Sequence, residues 1–230
     1  MTVAFYVTGT DTGIGKTVAS AALLHALRAR GLRAAGMKPV ASGCERIDGE
    51  WRNEDALALR RASDPAPDYA DVNPYALPEA TAPELAARAA GVDIGLESIA
   101  AAYRRLASRA DAMIVEGVGG WAAPLSAELD QIDVVRALEL PVVLVVGLKL
   151  GCINHARLSA RAIAADGVRL AGWIGNDVDP DLPQADDYFG LLASRIPAPC
   201  LGRLPHAPGA DAAALSAHLD CAPLLANRFS

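Results

Sequence analysis

The sequence predicts an α/β fold built on a single doubly wound, mainly parallel sheet with helices on both faces. Short apolar runs alternate along the chain with longer segments of helical periodicity, which is the pattern of repeated β-α units. Glycine-rich or polar segments follow several of the apolar runs, as expected where ligands meet the carboxyl ends of parallel strands. The length of 230 residues suits one domain of this class, so we expect a single domain over residues 1–230.

Six apolar segments are predicted to be strands. Each is short, is rich in aliphatic residues and is bounded by glycine, proline or polar residues. They are Val3–Thr8, Arg33–Val40, Asp111–Gly117, Pro141–Leu148, Val168–Asp177 and Ala198–Pro205. The most hydrophobic run, PVVLVVGL at Pro141–Leu148, is too short to span a bilayer and is typical of a buried parallel strand.

Helices are predicted between these strands from apolar residues at helical spacing. They are Gly15 to about Arg30, ended by Gly31; NEDALALRRAS, with Asn53 or Glu54 near its start; Pro83–Ala90; Gly95–Ser108; Asp130–Leu138; Ile153–Ala165; and a short alanine- and leucine-rich helix that closes the chain. Two connecting segments are predicted to be loops. Asp64–Pro83, rich in proline, aspartate and tyrosine, is expected to be an ordered loop, and GVGGWAAPLS, Gly117–Ser126, a flexible one.

The composition argues against several classes of protein. A net charge of −6 disfavours a protein whose main partner is nucleic acid. No basic segment opens the chain, so no signal peptide is predicted, and no apolar run is long enough for a membrane span. The four cysteines, Cys44, Cys152, Cys200 and Cys221, form no C-x-x-C pair, which favours reduced thiols over disulfides or a zinc site. We therefore expect a cytoplasmic protein that binds neither nucleic acid nor membrane.

The segment GTDTGIGKT indicates a phosphate-binding loop between the first strand and the first helix. The usual expression G-x-x-x-x-G-K-[ST] fails by one residue, because Thr10 stands where its first glycine should and the glycine is Gly9. The features that bind phosphate are nevertheless present: glycines that let the backbone approach the phosphates, a lysine that neutralises charge, and a hydroxyl that can ligate Mg²⁺. The residues with these properties are Gly13, Gly15, Lys16 and Thr17. The alternative is an ordinary glycine turn before a helix.

Four polar residues lie where other predicted elements meet the same edge of the sheet. Lys38 and Ser42 in GMKPVASG follow the second strand, and Pro39 stiffens this exit so that the lysine can face the crevice. Asp55 opens the second helix, and Glu116 ends the strand AMIVE, where a carboxylate can reach Mg²⁺ directly or through water. Plainer interpretations are a solvated lysine, a helix-start acid stabilised by the helix dipole, and a solvated strand-end acid.

Taken together, these segments resemble the dethiobiotin synthetase family, ATP-dependent enzymes that close the ureido ring in biotin synthesis. The segments that carry the resemblance are GTDTGIGKT (Gly9–Thr17), GMKPVASG (Gly36–Gly43), NEDAL (Asn53–Leu57), NPY (Asn73–Tyr75), VEGVGGWAAPLS (Val115–Ser126), VVGLKLGCINHA (Val145–Ala156) and GWIGNDV (Gly172–Val178). The phosphate loop is shared by many ATPases, whereas GMKPVASG and KLGCINHA are more specific. Val118 stands where alanine is common in the family, Gly13 is at a variable position, and the sequence after Arg203 matches poorly.

The resemblance implies a fold like that of the P-loop NTPases, and one reaction. 7,8-Diaminononanoate, CO₂ or bicarbonate, and ATP are expected to give dethiobiotin, ADP and phosphate. An amine and CO₂ form a carbamate, ATP phosphorylates it to a carbamic–phosphoric anhydride, and the second amine displaces phosphate to close the ring.

The resemblance also implies roles for individual residues. Lys38, Lys16, Thr12 and Ser42 are expected to be catalytic. Mg²⁺ is expected at Thr17, Asp55 and Glu116. ATP is expected to bind at Gly13, Ile14, Gly15, Lys16, Thr17, Val18, Asp55, Glu116, Gly117, Val118, Gly119, Asn176, Asp177 and Pro205. The diamine is expected at Thr12, Lys38, Ser42, Leu150, Gly151, Cys152, Ile153 and Asn154, with the last five supplied by the partner subunit of a homodimer.

The start of KLGCINHA suits one part of the diamine in particular. Gly151–Asn154 open a helix, whose first N–H groups are suited to a carboxylate, and the resemblance places the acid tail of the diamine there. His155 and Cys152 are interpreted as structural residues rather than as a base and a nucleophile. From its pattern alone, Asn176 fits a turn-forming residue nearly as well as a contact to adenine.

The same motifs bear on three alternative functions. A partition or positioning ATPase of the same broad fold uses a second, signature lysine ahead of the glycines, where this chain has Asp11. A ligase that acts on a corrinoid acid usually carries a glutaminase domain, for which the sequence has no room. A degenerate protein that only binds nucleotide is disfavoured by the intact Lys16, Thr17, Lys38 and Glu116.

Overall fold

The computed structural model describes residues 2–226, and its main sheet confirms the predicted fold class. The strands in this part of the chain are β1 (Val3–Gly9), β2 (Ala34–Met37), β3 (Val40–Ser42), β4 (Glu45–Ile47), β5 (Glu50–Arg52), β6 (Tyr75–Leu77), β7 (Ala112–Gly120), β8 (Val142–Leu148), β9 (Leu170–Asp177) and β10 (Cys200–Leu204). Six of them form one parallel sheet in the order β10-β9-β8-β1-β7-β2. β2 and β7 lie on one side of β1, and β8, β9 and β10, which follow in the chain, lie on the other. In such a topology ligands bind at the carboxyl end of the strand where the order reverses, here β1.

Helices cover both faces of this sheet. They are α1 (Lys16–Arg28), α2 (Glu54–Ala62), α3 (Tyr69–Val72), α4 (Pro83–Ala90), α5 (Leu96–Ala107), α6 (Gln131–Ala137), α7 (Cys152–Ala165), α8 (Ala185–Ala193), α9 (Ala212–Leu215) and α10 (Ala222–Leu225), with a 3₁₀ turn at Ser216–His218. Successive side chains of β1 point to opposite faces. Phe5 and Val7 join the buried cluster that contains α1 and α2 residues, whereas Tyr6 joins the cluster on the other face with α5 and α6.

The predicted strand Arg33–Val40 is wrong in its second half. β2 ends at Met37, and Val40–Ser42 form β3, which pairs in parallel with β6 in a separate two-stranded sheet. Pro39 explains the break, because proline has no N–H to donate to a strand ladder. The backbone of Lys38 instead donates to the Val72 carbonyl at 2.7 Å, so Lys38 stands at the turn between two sheets.

Several elements were missed by the pattern. The expected loop Asp64–Pro83 contains α3 and β6, and the glycine-rich stretch expected to be flexible begins inside β7, where Gly120 pairs with Gly9. The helix α8 was not predicted, nor was the hairpin of β4 and β5. Asp48 and Gly49 turn this hairpin with φ values of 53° and 83°, the positive pair that an Asp-Gly turn supplies.

The helical end of the chain consists of α9, the 3₁₀ turn and α10, rather than one helix. Cys221 and Leu224 are buried against the same face of the sheet as α1. Within residues 2–226, every helix is too short or too polar to cross a lipid bilayer.

Candidate active site

The loop between β1 and α1 adopts the conformation that its glycines allow. Gly13 and Gly15 have φ values of 72° and 79°, in the left-handed region that favours glycine, and Gly15 directly precedes α1. A Cβ atom on Gly15 would collide with Nδ2 of Asn176, which donates a hydrogen bond to the Ile14 carbonyl at 2.9 Å. The first N–H groups of an α-helix have no partner within the helix, so α1 begins with donors available to a phosphate.

Lys16 lies against this loop and is almost completely buried. Its Nζ donates to the Asp11 carbonyl at 2.9 Å, and the residue is 7% exposed. Burial and then the positive charge of Lys38 lower the pKa of Lys16 from 10.5 to about 8. A bound anion would relieve both effects, so the loop is electrostatically prepared for a phosphate.

Lys38 lies at the centre of a buried network of charges. Its Nζ is 2.6 Å from Oε1 of Glu116, 3.1 Å from Oδ2 of Asp55 and 3.0 Å from the Gly117 carbonyl. Burial disfavours the charged form of Lys38, but the two carboxylates outweigh it and raise its pKa. Burial likewise opposes the charge of Asp55, yet Lys38 and the Thr17 hydroxyl lower the pKa of this carboxyl. The lysine is therefore a fixed cation.

Thr17, Asp55 and Glu116 form an oxygen-rich set that fits Mg²⁺. The Thr17 hydroxyl donates to Oε1 of Glu116 at 2.8 Å, while Oε2 of Glu116 is buried without a hydrogen-bond partner. Asn53 caps α2 by accepting from the backbone N–H of Asp55 at 3.0 Å, which fixes the start of the helix that carries Asp55. Hydroxyl and carboxylate oxygens are the ligands that Mg²⁺ prefers, usually together with water and substrate phosphates.

Substrate ligands are needed to complete such a metal site. In residues 2–226, no group of three or more histidine, cysteine, aspartate or glutamate side chains is arranged to hold a metal ion. Two carboxylates and one hydroxyl are fewer ligands than Mg²⁺ takes, so water or substrate oxygens would have to fill the other positions.

A cleft of about 400 Å³ joins the predicted residues of four sequence segments. It is lined by Thr12, Gly13, Gly15, Lys16, Thr17, Val18, Lys38, Ala41, Ser42, Asn53, Asp55, Val118 and Gly119. Glu116 and Gly117 contact it through Lys38. A larger cavity of about 640 Å³, between α4 and the loop before α6, is lined by none of the predicted site residues.

The segment at the start of α7 lies apart from this lining. Gly151, with φ of 92°, directly precedes α7, and Cys152 is buried at its first position. Leu150 is 79% exposed. Lys149 reaches back to the phosphate loop, where its Nζ is 2.8 Å from Oδ2 of Asp11 and lowers the pKa of that carboxyl. Of the predicted substrate residues, 150–154 are absent from the described lining of the cleft.

The remaining predicted nucleotide residues lie on the other side of the loop. Asn176 and Asp177 end β9, and Pro205 follows β10, whereas Lys38 follows β2 at the opposite edge of the sheet. Both oxygens of the Asp177 carboxylate accept from Nε of Arg203 at 3.0 Å. The candidate site therefore has one end near Lys38 and another near Asn176 and Asp177, with the phosphate loop between them.

Comparison with known proteins shows the family of this chain. A protein named ATP-dependent dethiobiotin synthetase BioD, from Xanthomonas euvesicatoria pv. vesicatoria (strain 85-10), is 67% identical over 211 residues, covering 92% of this chain and 94% of that protein. The chain belongs to the dethiobiotin synthetase family. A dethiobiotin synthetase with the same printed name from Xylella fastidiosa (strain 9a5c) is 61% identical over 217 residues, covering 94% of this chain and 96% of that protein.

More distant comparisons agree on the fold of this family member. A family model described as an AAA domain matches residues 3–214. A ParA family ATPase from Chlorobium tepidum TLS superposes with a TM-score of 0.57 at 14% identity, over 99% of this chain and 93% of that chain. The 54 kDa signal recognition particle protein from Aeropyrum pernix K1 gives 0.54 at 16% identity, over 97% and 44% of the two chains. At such identities the likeness shows the fold alone, so the partition ATPase alternative shares only architecture with this family member.

Three residues near the candidate site were not predicted from the sequence. Lys149 pairs with Asp11, and Gln131 bonds both to Tyr6 and to the backbone after Glu116. Lys149 lies inside KLGCINHA and could have been selected as one of only three lysines in the sequence. Gln131 and Tyr6 carry no local signal, because a polar residue in a helix's first turn and a tyrosine in a strand are both common.

Proposed function

We propose that this chain carboxylates 7,8-diaminononanoate with CO₂ and closes the ureido ring at the expense of ATP. The family membership supports the overall conversion. The observation that carries the proposal is Lys38, a buried cation that lines the same cleft as the phosphate loop and touches two carboxylates. A site that only bound nucleotide would not require a second buried lysine beside Lys16.

The proposed reaction has three balanced steps. One amine nitrogen attacks the carbon of CO₂ and loses a proton, which gives a carbamate. A carbamate oxygen attacks the γ-phosphorus of ATP, and ADP leaves with the electrons of the broken P–O bond. The second amine attacks the carbonyl carbon of the resulting carbamic–phosphoric anhydride, releases phosphate and loses a proton.

The residues of the cleft supply charge and alignment for these steps. A carbamate is already an oxyanion, so its phosphorylation needs charge screening and in-line positioning more than a strong base. Lys16 would contact the β- and γ-phosphates, and Lys38 the carbamate and the transferring phosphoryl group. Thr12 and Ser42 line the same cleft and would donate hydrogen bonds to the substrate or the phosphate.

Mg²⁺ would be held by Thr17, Asp55 and Glu116, and when bound it neutralises charge between the β- and γ-phosphates. These three residues now interact with one another and with Lys38. The ammonium group of Lys38 therefore already balances the carboxylates that the metal ion would use. Lys38 and a metal ion are expected to compete for Glu116 and Asp55 when no nucleotide is bound.

Replacing Lys38 by methionine is therefore expected to raise the affinity for Mn²⁺, used as a probe for Mg²⁺, by about tenfold or more without nucleotide. Two unit charges about 4 Å apart interact by about 4 kcal/mol at an effective dielectric constant of about 20, so even a fraction of this suffices. Isothermal titration calorimetry measures the affinity. Lys149→Met removes a lysine that touches neither carboxylate and serves as the control. A lower affinity in Lys38→Met would contradict the competition.

We propose further that the whole chain works as one catalytic unit in a homodimer, in the reducing cytoplasm. Exposed leucines at 150 and 158, 79% and 54% accessible, support an interface along α7. The absence of 150–154 from the described lining of the cleft agrees with their acting on a neighbouring subunit's site. The Cys152 N–H already donates to the Lys149 carbonyl at 3.0 Å, so the next N–H groups of the first turn of α7 would then bind the carboxylate of the diamine. The four cysteines are all free, which suits a reducing compartment.

Mixing two inactive variants tests the shared site. Lys38→Gln and Asn154→Ala homodimers are each expected to have little activity at a diamine concentration below the wild-type KM. If each site uses Lys38 from one chain and Asn154 from the other, a mixed dimer contains one intact site, so random exchange restores about a quarter of wild-type activity. Steady-state rates after subunit exchange measure the recovery. Absence of recovery, with mixed dimers verified by mass, would argue against sharing.

The direct test of the function is mass-spectrometric detection of dethiobiotin from diaminononanoate, bicarbonate and Mg-ATP. ¹³C-bicarbonate should increase the product mass by about one unit, because the ureido carbon comes from CO₂. One ADP should form for each dethiobiotin. ATP consumption that is independent of the diamine, with no cyclic product, would overturn the proposal.

A further inference from the structure

The Gln131 side chain lies under the candidate site and is completely buried. Gln131 is the first residue of α6, and its exposed fraction is 0%. Its Oε1 accepts from the Tyr6 hydroxyl at 2.7 Å and from the Val118 N–H at 2.9 Å. Its Nε2 donates to the carbonyls of Gly120 at 2.7 Å and Ala123 at 3.3 Å. Two donors and two acceptor positions are the full capacity of a carboxamide, so nothing of this side chain is left unpaired.

These bonds hold the backbone that follows Glu116. Val118 and Gly119 line the cleft, and the Gly117 carbonyl accepts from Nζ of Lys38 at 3.0 Å. Gly117 packs directly against Gln131 and Tyr6, since a Cβ on Gly117 would collide with Oε1 of Gln131 and come within 2.5 Å of the Tyr6 hydroxyl. The side-chain amide of Gln131 therefore fixes the position of the backbone of Gly117–Gly120 relative to Lys38.

Gln131 and Tyr6, the two residues that hold this segment, are themselves fixed in place. The start of α6 carries a capping box in which the Asp130 N–H donates to Asp133 at 2.9 Å. The Tyr6 hydroxyl stays protonated, because burial and the charge of Glu116 raise its pKa. Tyr6 is therefore a permanent donor to Gln131, and it anchors the amide to β1, the strand that leads into the phosphate loop.

We propose that Gln131 is a positioning residue for the reaction, with Tyr6 as its anchor. It holds segment Gly117–Gly120 so that the Gly117 carbonyl and the Glu116 carboxylate keep the Lys38 ammonium aimed at the acceptor. This inference rests on the proposed function of Lys38. It acts at the β7 and β2 end of the site, away from Asn176 on β9. Gly117, Val118 and Gly119 are also expected ATP contacts, so turnover should fall more than nucleotide affinity does.

The test compares three variants in which a side chain of similar size replaces a polar one. Gln131→Met removes all four hydrogen bonds, Tyr6→Phe removes only the anchor, and Thr2→Val removes two bonds to the Ala107 and Ala110 carbonyls at the amino end of the sheet. The kcat per ADP-binding site is expected to fall roughly tenfold to a hundredfold in Gln131→Met, since small displacements of catalytic groups cost this much. ADP affinity should fall by a smaller factor than kcat, because the phosphate-loop residues Gly13–Thr17 make no hydrogen bond to Gln131. Tyr6→Phe should fall between wild type and Gln131→Met.

Hydrogen exchange separates positioning from general stability. The Val118 amide should lose protection in Gln131→Met and keep it in Thr2→Val. An unchanged kcat per binding site, or a loss of protection spread evenly over the sheet, would overturn the inference. If Gln131→Met does not fold, the double variant Tyr6→Phe/Gln131→Met removes the stranded hydroxyl and is measured instead. The exchange experiment needs no diamine. Retained protection at the Val118 amide in Gln131→Met would therefore refute the positioning role of Gln131 even if the wild-type protein made no dethiobiotin.

Discussion

Replacing Lys38 by glutamine is expected to lower turnover by at least about a thousandfold while changing the affinity for ATP by less than about threefold. The Lys38 side chain is 4% exposed, and its Nζ lies 2.6 Å and 3.1 Å from the Glu116 and Asp55 carboxylates. Glutamine is polar but uncharged and one atom shorter than lysine, so the carbamate and the transferring phosphoryl group would lose their closest cation. ATP would keep Lys16 and the start of α1, which explains the small effect on affinity.

Calorimetric titration with ATP and single-turnover formation of dethiobiotin separate the two quantities for Lys38→Gln. Lys38→Arg is the informative companion variant, since it keeps the charge and replaces a compact ammonium by a larger planar fork with a different hydrogen-bond geometry. We expect Lys38→Arg to recover little turnover. Equal losses of turnover and ATP affinity in Lys38→Gln would reassign Lys38 to nucleotide binding.

The parts of this site that could be predicted from sequence are those set by strand order. Lys16, Lys38 and Glu116 follow or end apolar runs, and the carboxyl ends of parallel strands meet at one edge. That rule brings them together without any knowledge of side-chain contacts. The cleft lined by Lys16 and Lys38 follows from the same rule, and their roles in binding and catalysis stay predictions.

The parts that escaped prediction depend on contacts between distant residues. Tyr6 and Gln131 are separated by 125 positions in sequence, and nothing in either neighbourhood indicates a hydrogen bond between them. Lys38 pairs with Asp55 because Pro39 ends β2 and turns the chain, and the sequence suggested that turn but not its partner. The unpredicted hairpin is different, since its Asp48-Gly49 pair is a recognisable local signal that was overlooked.

The phosphate loop gives the second large expected effect: Gly15→Ala should weaken ATP binding by at least about a hundredfold. At φ of 79° an alanine is strained by about 1–2 kcal/mol. The new methyl group would also collide with Nδ2 of Asn176. Relief requires Asn176 to give up its 2.9 Å bond to the Ile14 carbonyl, or the loop to shift and carry the N–H groups of Lys16 and Thr17 with it.

Gly13→Ala isolates the strain from the collision. Gly13 has a φ of 72°, and a Cβ there would meet no heavy atom within 4 Å, so a loss of about tenfold or less is expected. The collision itself is tested by Gly15→Ala/Asn176→Ala, in which the obstructing amide is gone. The double variant should bind ATP more tightly than the sum of the two single losses predicts, because both substitutions disturb one contact. Strictly additive losses, measured by calorimetry on folded protein, would show that strain alone weakens the loop. The close approach of Asn176 to Gly15 would then play no part in holding the phosphate site.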